Sequence, residues 1–160
     1  MPVAREPLDR RTRMTADFTI SFPNDKTAGG DFIDLNASVD CRGFRGRTEF
    51  TISRRDVARF LADAGHLSDT SSDSAQLLGG WDDAEERLRL RITRAGISGQ
   101  FVARVRIATT GPREEQWNRV ETEFICPPAS LATFLTDLSQ LVAQRRTDAA
   151  SLSGDADAIA

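Results

Sequence analysis

The sequence predicts an α+β protein, an antiparallel sheet built from two strand-strand-strand-helix halves related by a pseudo-twofold axis, with two amphipathic helices packed on it. Three observations lead there. Apolar residues alternate with polar ones in six stretches of the 160-residue chain. Twice that alternation gives way to a period of about 3.6 residues, the signature of a helix with one apolar face. A segment of the first half also recurs in the second.

The first strand is read at Phe18, Ile20 and Phe22, which alternate with polar residues before the turn chemistry of Pro23-Asn24-Asp25. After Gly29-Gly30, the residues Ile33, Leu35, Ala37, Val39 and Cys41 share one strand face, and Asp34, Asn36, Ser38 and Asp40 the other. Arg42-Gly43 turns the chain into a third strand, with Phe44, Thr48, Phe50 and Ile52 expected toward the core and Arg45, Arg47, Glu49 and Thr51 away from it. Ser53 then caps a helix with Asp56 three residues on, and Val57, Phe60, Leu61 and Ala64 form its apolar face up to Gly65.

In the second half, Leu88, Leu90 and Ile92 alternate with Arg87, Arg89 and Arg91, and Ala95-Gly96 turns the chain. Phe101, Ala103, Val105 and Ile107 then alternate with Arg104 and Arg106. Beyond Gly111-Pro112, Val120, Thr122, Phe124 and Cys126 face one way, and Arg119, Glu121 and Glu123 the other. Pro127-Pro128 ends that strand and suits the first turn of a helix. The stripe Leu131, Phe134, Leu135, Leu138, Leu141 and Val142 needs a sheet to cover it.

A shift of 74 residues lays Thr48–Leu67 over Thr122–Leu141 without a gap, with eight of twenty positions identical. Any strand followed by an amphipathic helix shares part of this pattern. The Thr-Glu-Phe identity and the gapless register favour duplication. Residues 1–16 are expected to form a mobile arm, 17–146 a single domain with halves 17–67 and 75–146 joined by a Ser/Asp-rich connector at 68–74, and 147–160 a disordered tail.

Composition narrows the function. A net charge of -3 with 28% charged residues announces neither a nucleic-acid binder nor a mimic of one. No apolar run reads as a leader or a membrane span, so a cytoplasmic location is expected. Cys41 and Cys126 read as buried thiols in a reducing compartment. Twenty of the 21 basic residues are Arg and there is no Tyr, a bias that a GC-rich genome produces without any function.

No catalytic constellation, metal site or cofactor motif is found. His66 is the only histidine and follows a helix end with no nucleophile placed beside it. The two cysteines lack zinc-ligand spacing. Gly29-Gly30 and Gly79-Gly80 lack the lysine of a phosphate loop and read as turns. Asp82, Asp83, Glu85 and Glu86 read as a solvated acidic turn, although a small enzyme using Asp82 or Glu85 is the alternative of last resort.

The interaction candidates are Arg87, Arg89, Arg91, Arg104 and Arg106, a basic ladder on one hairpin face, with Trp81 and Trp117 as contact anchors. The ladder could grip phosphates or an acidic protein surface. Pairing with Glu121 and Glu123 is the plainer reading, since cross-strand ion pairs are ordinary sheet stabilisers. Nucleic acid is the weaker partner because no Phe or Tyr is interleaved for base stacking. Protein binding is therefore the leading expectation.

The order of landmarks resembles WapI-type bacterial immunity proteins and their uncharacterised actinobacterial relatives over residues 17–144. It runs Phe44-x-Gly46, Phe60-Leu61, Ala75-x-Leu77-Leu78, the Arg-rich hairpin, then Leu131-x-x-Phe134-Leu135-x-x-Leu138. The resemblance implies a cytoplasmic non-enzyme, without cofactor, that binds and blocks a toxin domain, and it assigns no catalytic residues.

Overall fold

A computed structural model gives the fold and describes residues 15–23, 30–69, 73–80, 86–96, 99–110, 117–143 and 148–156. Its elements run β1 (Thr15–Ser21), β2 (Phe32–Cys41), β3 (Phe44–Ser53), α1 (Arg54–Gly65), a 3-10 turn (Leu67–Asp69), β4 (Ser74–Gly80), β5 (Glu86–Arg94), β6 (Phe101–Thr110), β7 (Trp117–Cys126), α2 (Pro128–Val142) and β8 (Ala149–Asp155). Each strand pairs antiparallel with its neighbour in sequence, and β1 pairs with β8, so the sheet closes into a barrel. The fold is α+β and antiparallel, as the alternation requires.

Local chemistry explains the turns and caps. Arg42 and Gly43 both have positive φ, 53° and 77°, between the paired residues Cys41 and Phe44. Such a two-residue turn twists in the same sense as the strands it joins, and only glycine adopts it without cost. Arg42 is held there by a hydrogen bond from its guanidinium to the Ala156 carbonyl on the far side of β1. The Ser53 hydroxyl accepts from the Asp56 N–H at 3.1 Å and so starts α1. Pro128 occupies the first turn of α2, where its missing N–H leaves nothing unpaired.

The inward faces of the strands form one core with the apolar faces of both helices, including Val57, Phe60 and Ala64 of α1 and Leu131, Phe134, Leu138 and Leu141 of α2. The rings of Phe18 on β1 and Phe134 on α2 lie 6.1 Å apart. Arg54 locks the helices together from the first residue of α1, with Nη1 donating to the Val142 carbonyl at 2.6 Å and Nε to the Gly30 carbonyl at 2.9 Å. Cys41 and Cys126 are buried, unbonded thiols.

Two seams of the barrel fall where a helix connects its two strands. Among the described residues, β3 meets β4 through the pair Thr51 and Gly80 at one, and β7 meets β8 through Ile125 and Asp155 at the other. At the second seam Ser130 of α2 ties the helix to β8, since its hydroxyl donates to the Ser153 carbonyl at 2.8 Å and accepts from the Ser153 N–H at 3.2 Å. Glycines let the layers close. A Cβ on Gly79 would stand 2.1 Å from Cδ2 of Phe50, and one on Gly154 only 2.2 Å from the Ile125 carbonyl oxygen and 2.5 Å from Cδ2 of Phe124.

Several expectations are corrected here. The tail expected at 147–160 contains β8, whose Ala150 and Leu152 are fully buried, and its small residues reflect a strand pressed against α2 and the Phe124 ring rather than disorder. Thr15 and Ala16, placed by expectation in the arm at 1–16, belong to β1, and residues 1–14 lie outside the described residues. Each half was expected to hold three strands, yet β4 adds a strand to the second, and Gly79-Gly80 lies in it rather than in a turn. The expected connector at 68–74 gives up Ser74 to β4 and begins inside the 3-10 turn. Phe44 is 68% exposed instead of joining the core, although Cys41 opposite it on β2 is buried. No helix among the described residues is long and apolar enough to cross a membrane. The outward positions of the strands carry charges such as Asp17, Asp40, Arg45, Arg91 and Glu121, where a lipid-facing barrel needs an apolar band.

Candidate functional site

The five arginines of the ladder fall on the outer face of the barrel because Leu88, Leu90 and Ile92 on β5, with Ala103, Val105 and Ile107 on β6, fill the inner one. Strand register then sets their neighbours. One row across the sheet reads Gln76, Arg91, Arg104, Glu123 from β4 to β7, and the next reads Leu78, Arg89, Arg106, Glu121. Arg91 therefore stands directly opposite Arg104, and Arg89 opposite Arg106. Directly opposed like charges on one sheet face destabilise the pair.

Carboxylates neutralise only part of this face. Nε and Nη2 of Arg104 both donate to one oxygen of Glu123, at 3.2 and 2.8 Å, as cross-strand pairing leads one to expect. Arg89 turns to Glu86 on its own strand at 2.7 Å, and Arg87 is also partnered. Glu121 lies in register with Arg106 but makes no ion pair with it among the described contacts, and Arg91 likewise has no carboxylate within bonding distance. A shallow depression of about 240 Å³ lies between Arg91 and Arg104, floored by Thr93 and Val102 and closed by Glu123. Arg91 borders this depression without a carboxylate partner among the described contacts, while Arg104 across it is held by Glu123.

Sequence reasoning missed Leu78. It is 45% exposed and stands beside Arg89 in the second row, an apolar side chain flanking the charges. The alternation Ala75, Leu77, Gly79 against Gln76, Leu78, Gly80 was the signal, masked by the two glycines. Trp81 lies outside the described residues, as do Asp82, Asp83 and Glu85. Trp117 is the first residue of β7, in register with Thr110 at the far end of the hairpin from Arg91 and Arg104.

The remaining chemistry is scattered. Nδ1 of His66 lies 3.0 Å from an Asp69 carboxylate oxygen in an exposed position at the end of α1. Burial pushes the Cys126 thiol from its ordinary 9.0 up to about 12, so it is a poor nucleophile at neutral pH. Among the described residues no group of three or more His, Cys, Asp or Glu side chains is placed to hold a metal ion. No protein-family model, characterised protein or solved structure matches this chain.

Proposed function

We propose that the protein works by binding another protein through the outer Arg face of β5 and β6, and not by catalysis. The observation that carries this reading is the pair of like-charge oppositions, Arg91 with Arg104 and Arg89 with Arg106, in which Arg91 and Arg106 lack a carboxylate partner. Each opposition costs on the order of a few tenths of a kcal/mol, which alternating charges would have avoided. An acidic partner surface would recover that cost. Exposed Leu78 beside the arginines favours a protein over a polyphosphate, since it offers an apolar contact next to the charges. Blocking a toxin domain is the specific form that the WapI-type resemblance implies.

The test is affinity capture from native-host lysate, with and without nuclease, using the wild type and an Arg91→Glu/Arg106→Glu variant. Retention of a stoichiometric protein by the wild type after nuclease treatment, and its loss from the variant, is the expected result. Equal retention by both proteins would remove the Arg face from the site. Capture only through nucleic acid, falling steeply with salt, would instead make the ladder a phosphate grip.

The same reading extends to the origin of the barrel. Its unit would be four strands and a helix, β4 to α2 in one copy, and β8 with β1 to α1 in the other. Ala75, Leu77 and Gly79 on β4 match Ala150, Leu152 and Gly154 on β8 at a shift of 75, close to the shift of 74 relating the strand-helix segments. In both copies the strand after the helix presents its glycine to the phenylalanine that precedes the helix, Gly79 to Phe50 and Gly154 to Phe124. Under this reading the outer faces diverged, one copy keeping Asp17, Asp34 and Asp40 where the other carries the arginines.

A further inference from the structure

Four arginines at the centre of the outer face form a square with two unlike diagonals. Register sets Arg91 beside Arg104 and Arg89 beside Arg106, so Arg89 and Arg104 share one diagonal and Arg91 and Arg106 the other. The chain neutralises the first diagonal itself, Arg89 through Glu86 at 2.7 Å and Arg104 through Glu123 at 2.8 Å. On the second, neither Arg91, which is exposed, nor Arg106, which is half-buried, has a carboxylate within bonding distance among the described residues. Diagonal neighbours on an antiparallel pair stand about 7 to 8 Å apart. Beyond Arg91 and Arg104 the next outer row is Thr93, Val102 and Ile125, all half-buried, and the first two floor the depression of about 240 Å³. Small-molecule pockets begin at about 300 Å³, so this one suits a single side chain with an apolar stem.

We infer that the partner meets this face with an α-helix carrying two glutamates one turn apart, one for Arg91 and one for Arg106. The inference rests on the reading of the Arg face as a protein-binding surface and adds to it the partner's local structure and the spacing of its acids. Strands β5 and β6 pair with each other and with β4 and β7, so their backbone groups are used within the sheet and the face offers side chains alone. A segment lying flat on such a face must satisfy its own backbone, which a helix does and an extended chain does not. Residues four apart on a helix hold their Cβ atoms about 5 to 6 Å apart on one side, and the flexible stems of Glu and Arg close the small difference from the diagonal. Glutamate suits the site better than aspartate, because its longer stem can lie on Thr93 and Val102 while its carboxylate reaches Arg91. Like charges four apart destabilise a helix alone, just as opposed arginines destabilise the sheet, and both costs fall when the two surfaces meet. Exposed Leu78, in the row of Arg106, adds an apolar contact. Glu121, in register with Arg106, is the chain's own competitor for that guanidinium.

NMR spectra that resolve the arginine Nε–H groups, recorded while isolated protein is titrated with an alanine-based helical peptide bearing glutamates at i and i+4, test this directly. A second peptide of the same composition carries them at i and i+2, on different sides of the helix. Arg91 and Arg106 should shift together while Arg104 stays, and the first peptide should bind about tenfold more tightly than the second. Arg91→Gln and Arg106→Gln should each weaken binding about threefold, and Glu121→Gln should strengthen it by about as much. The arginine changes relieve like-charge oppositions, so these variants should fold, which circular dichroism checks. Absence of binding at millimolar peptide, equal affinity for the two peptides, or shifts that fall equally on Arg89 and Arg104 would overturn the inference. So would saturation of both free arginines by a single-stranded oligonucleotide with no response to either peptide. The capture experiment separates this failure from that of the reading beneath it. A native protein lost from the Arg91→Glu/Arg106→Glu variant upholds the face even where the peptides fail, whereas equal retention removes both.

Discussion

Replacing Gly154 by alanine tests the seam between β7 and β8. The backbone at Gly154 does not lie in the left-handed region, so alanine meets no conformational penalty there and the effect is one of space alone. The new Cβ would stand 2.2 Å from the Ile125 carbonyl oxygen, 2.9 Å from its carbonyl carbon and 2.5 Å from Cδ2 of the fully buried Phe124 ring. A backbone carbonyl cannot rotate aside, so β8 must move away from β7 at the pair of Ile125 and Asp155. Overpacking of this kind costs about 1 to 3 kcal/mol, and the backbone partner puts it at the upper end. The entropy that alanine removes from the unfolded chain returns about 0.4 to 1 kcal/mol. A net loss of about 2 kcal/mol follows, or about 4 to 8 °C in Tm for a chain of 160 residues. Urea unfolding followed by far-UV circular dichroism, read as a shift in midpoint at constant m, measures it. Gly65→Ala is the internal control, because nothing lies within 4 Å of its Cβ, and it should stabilise by about 0.5 to 1 kcal/mol. A Gly154→Ala protein as stable as the wild type would refute the packing argument for the seam.

Other outcomes follow from the same structure. Phe50→Ala and Phe124→Ala should each cost about 3 to 5 kcal/mol in denaturant titrations, since both rings are buried and each lies over a glycine that leaves a void when the ring is removed. Ser53→Ala should lose about 1 kcal/mol through the N-cap of α1. Cys126 remains protonated in the folded protein up to about pH 12 but ionises near 9.0 when unfolded. Its contribution to stability is therefore fully present below pH 9 and declines as pH rises toward 12. With no Tyr and a single Lys in the chain, few other groups titrate in that window. Replacing Cys126 by Ala should flatten the alkaline fall in Tm, and native Cys126 should resist iodoacetamide at pH 8.

The interaction candidates divide by how local their signals were. Arg87, Arg89, Arg91, Arg104 and Arg106 could be placed on a common outer face because period-two alternation fixes which side of a strand each residue takes. Which of them stay without a carboxylate depends on register between strands and on whether Arg89 reaches Glu86 or Glu121, and neither is written in alternation. Leu78 was hidden because Gly79-Gly80 imitates a turn.

The amino-acid sequence by itself determined the local elements. The inward faces of β2, β5 and β6, the Ser53 cap, the Arg42-Gly43 hairpin and the apolar stripes of both helices follow from periods of two and 3.6 and from turn chemistry, all of which act over a few residues. Tertiary structure alone decided that β8 exists, that β1 and β8 close the sheet, and that Phe44 lies outside the core. Ala149–Asp155 has only Ala150 and Leu152 as fully buried apolar strand positions, too little to specify a strand in isolation. It becomes one because β1 supplies its hydrogen bonds and because small side chains are what fit beneath α2 and Phe124.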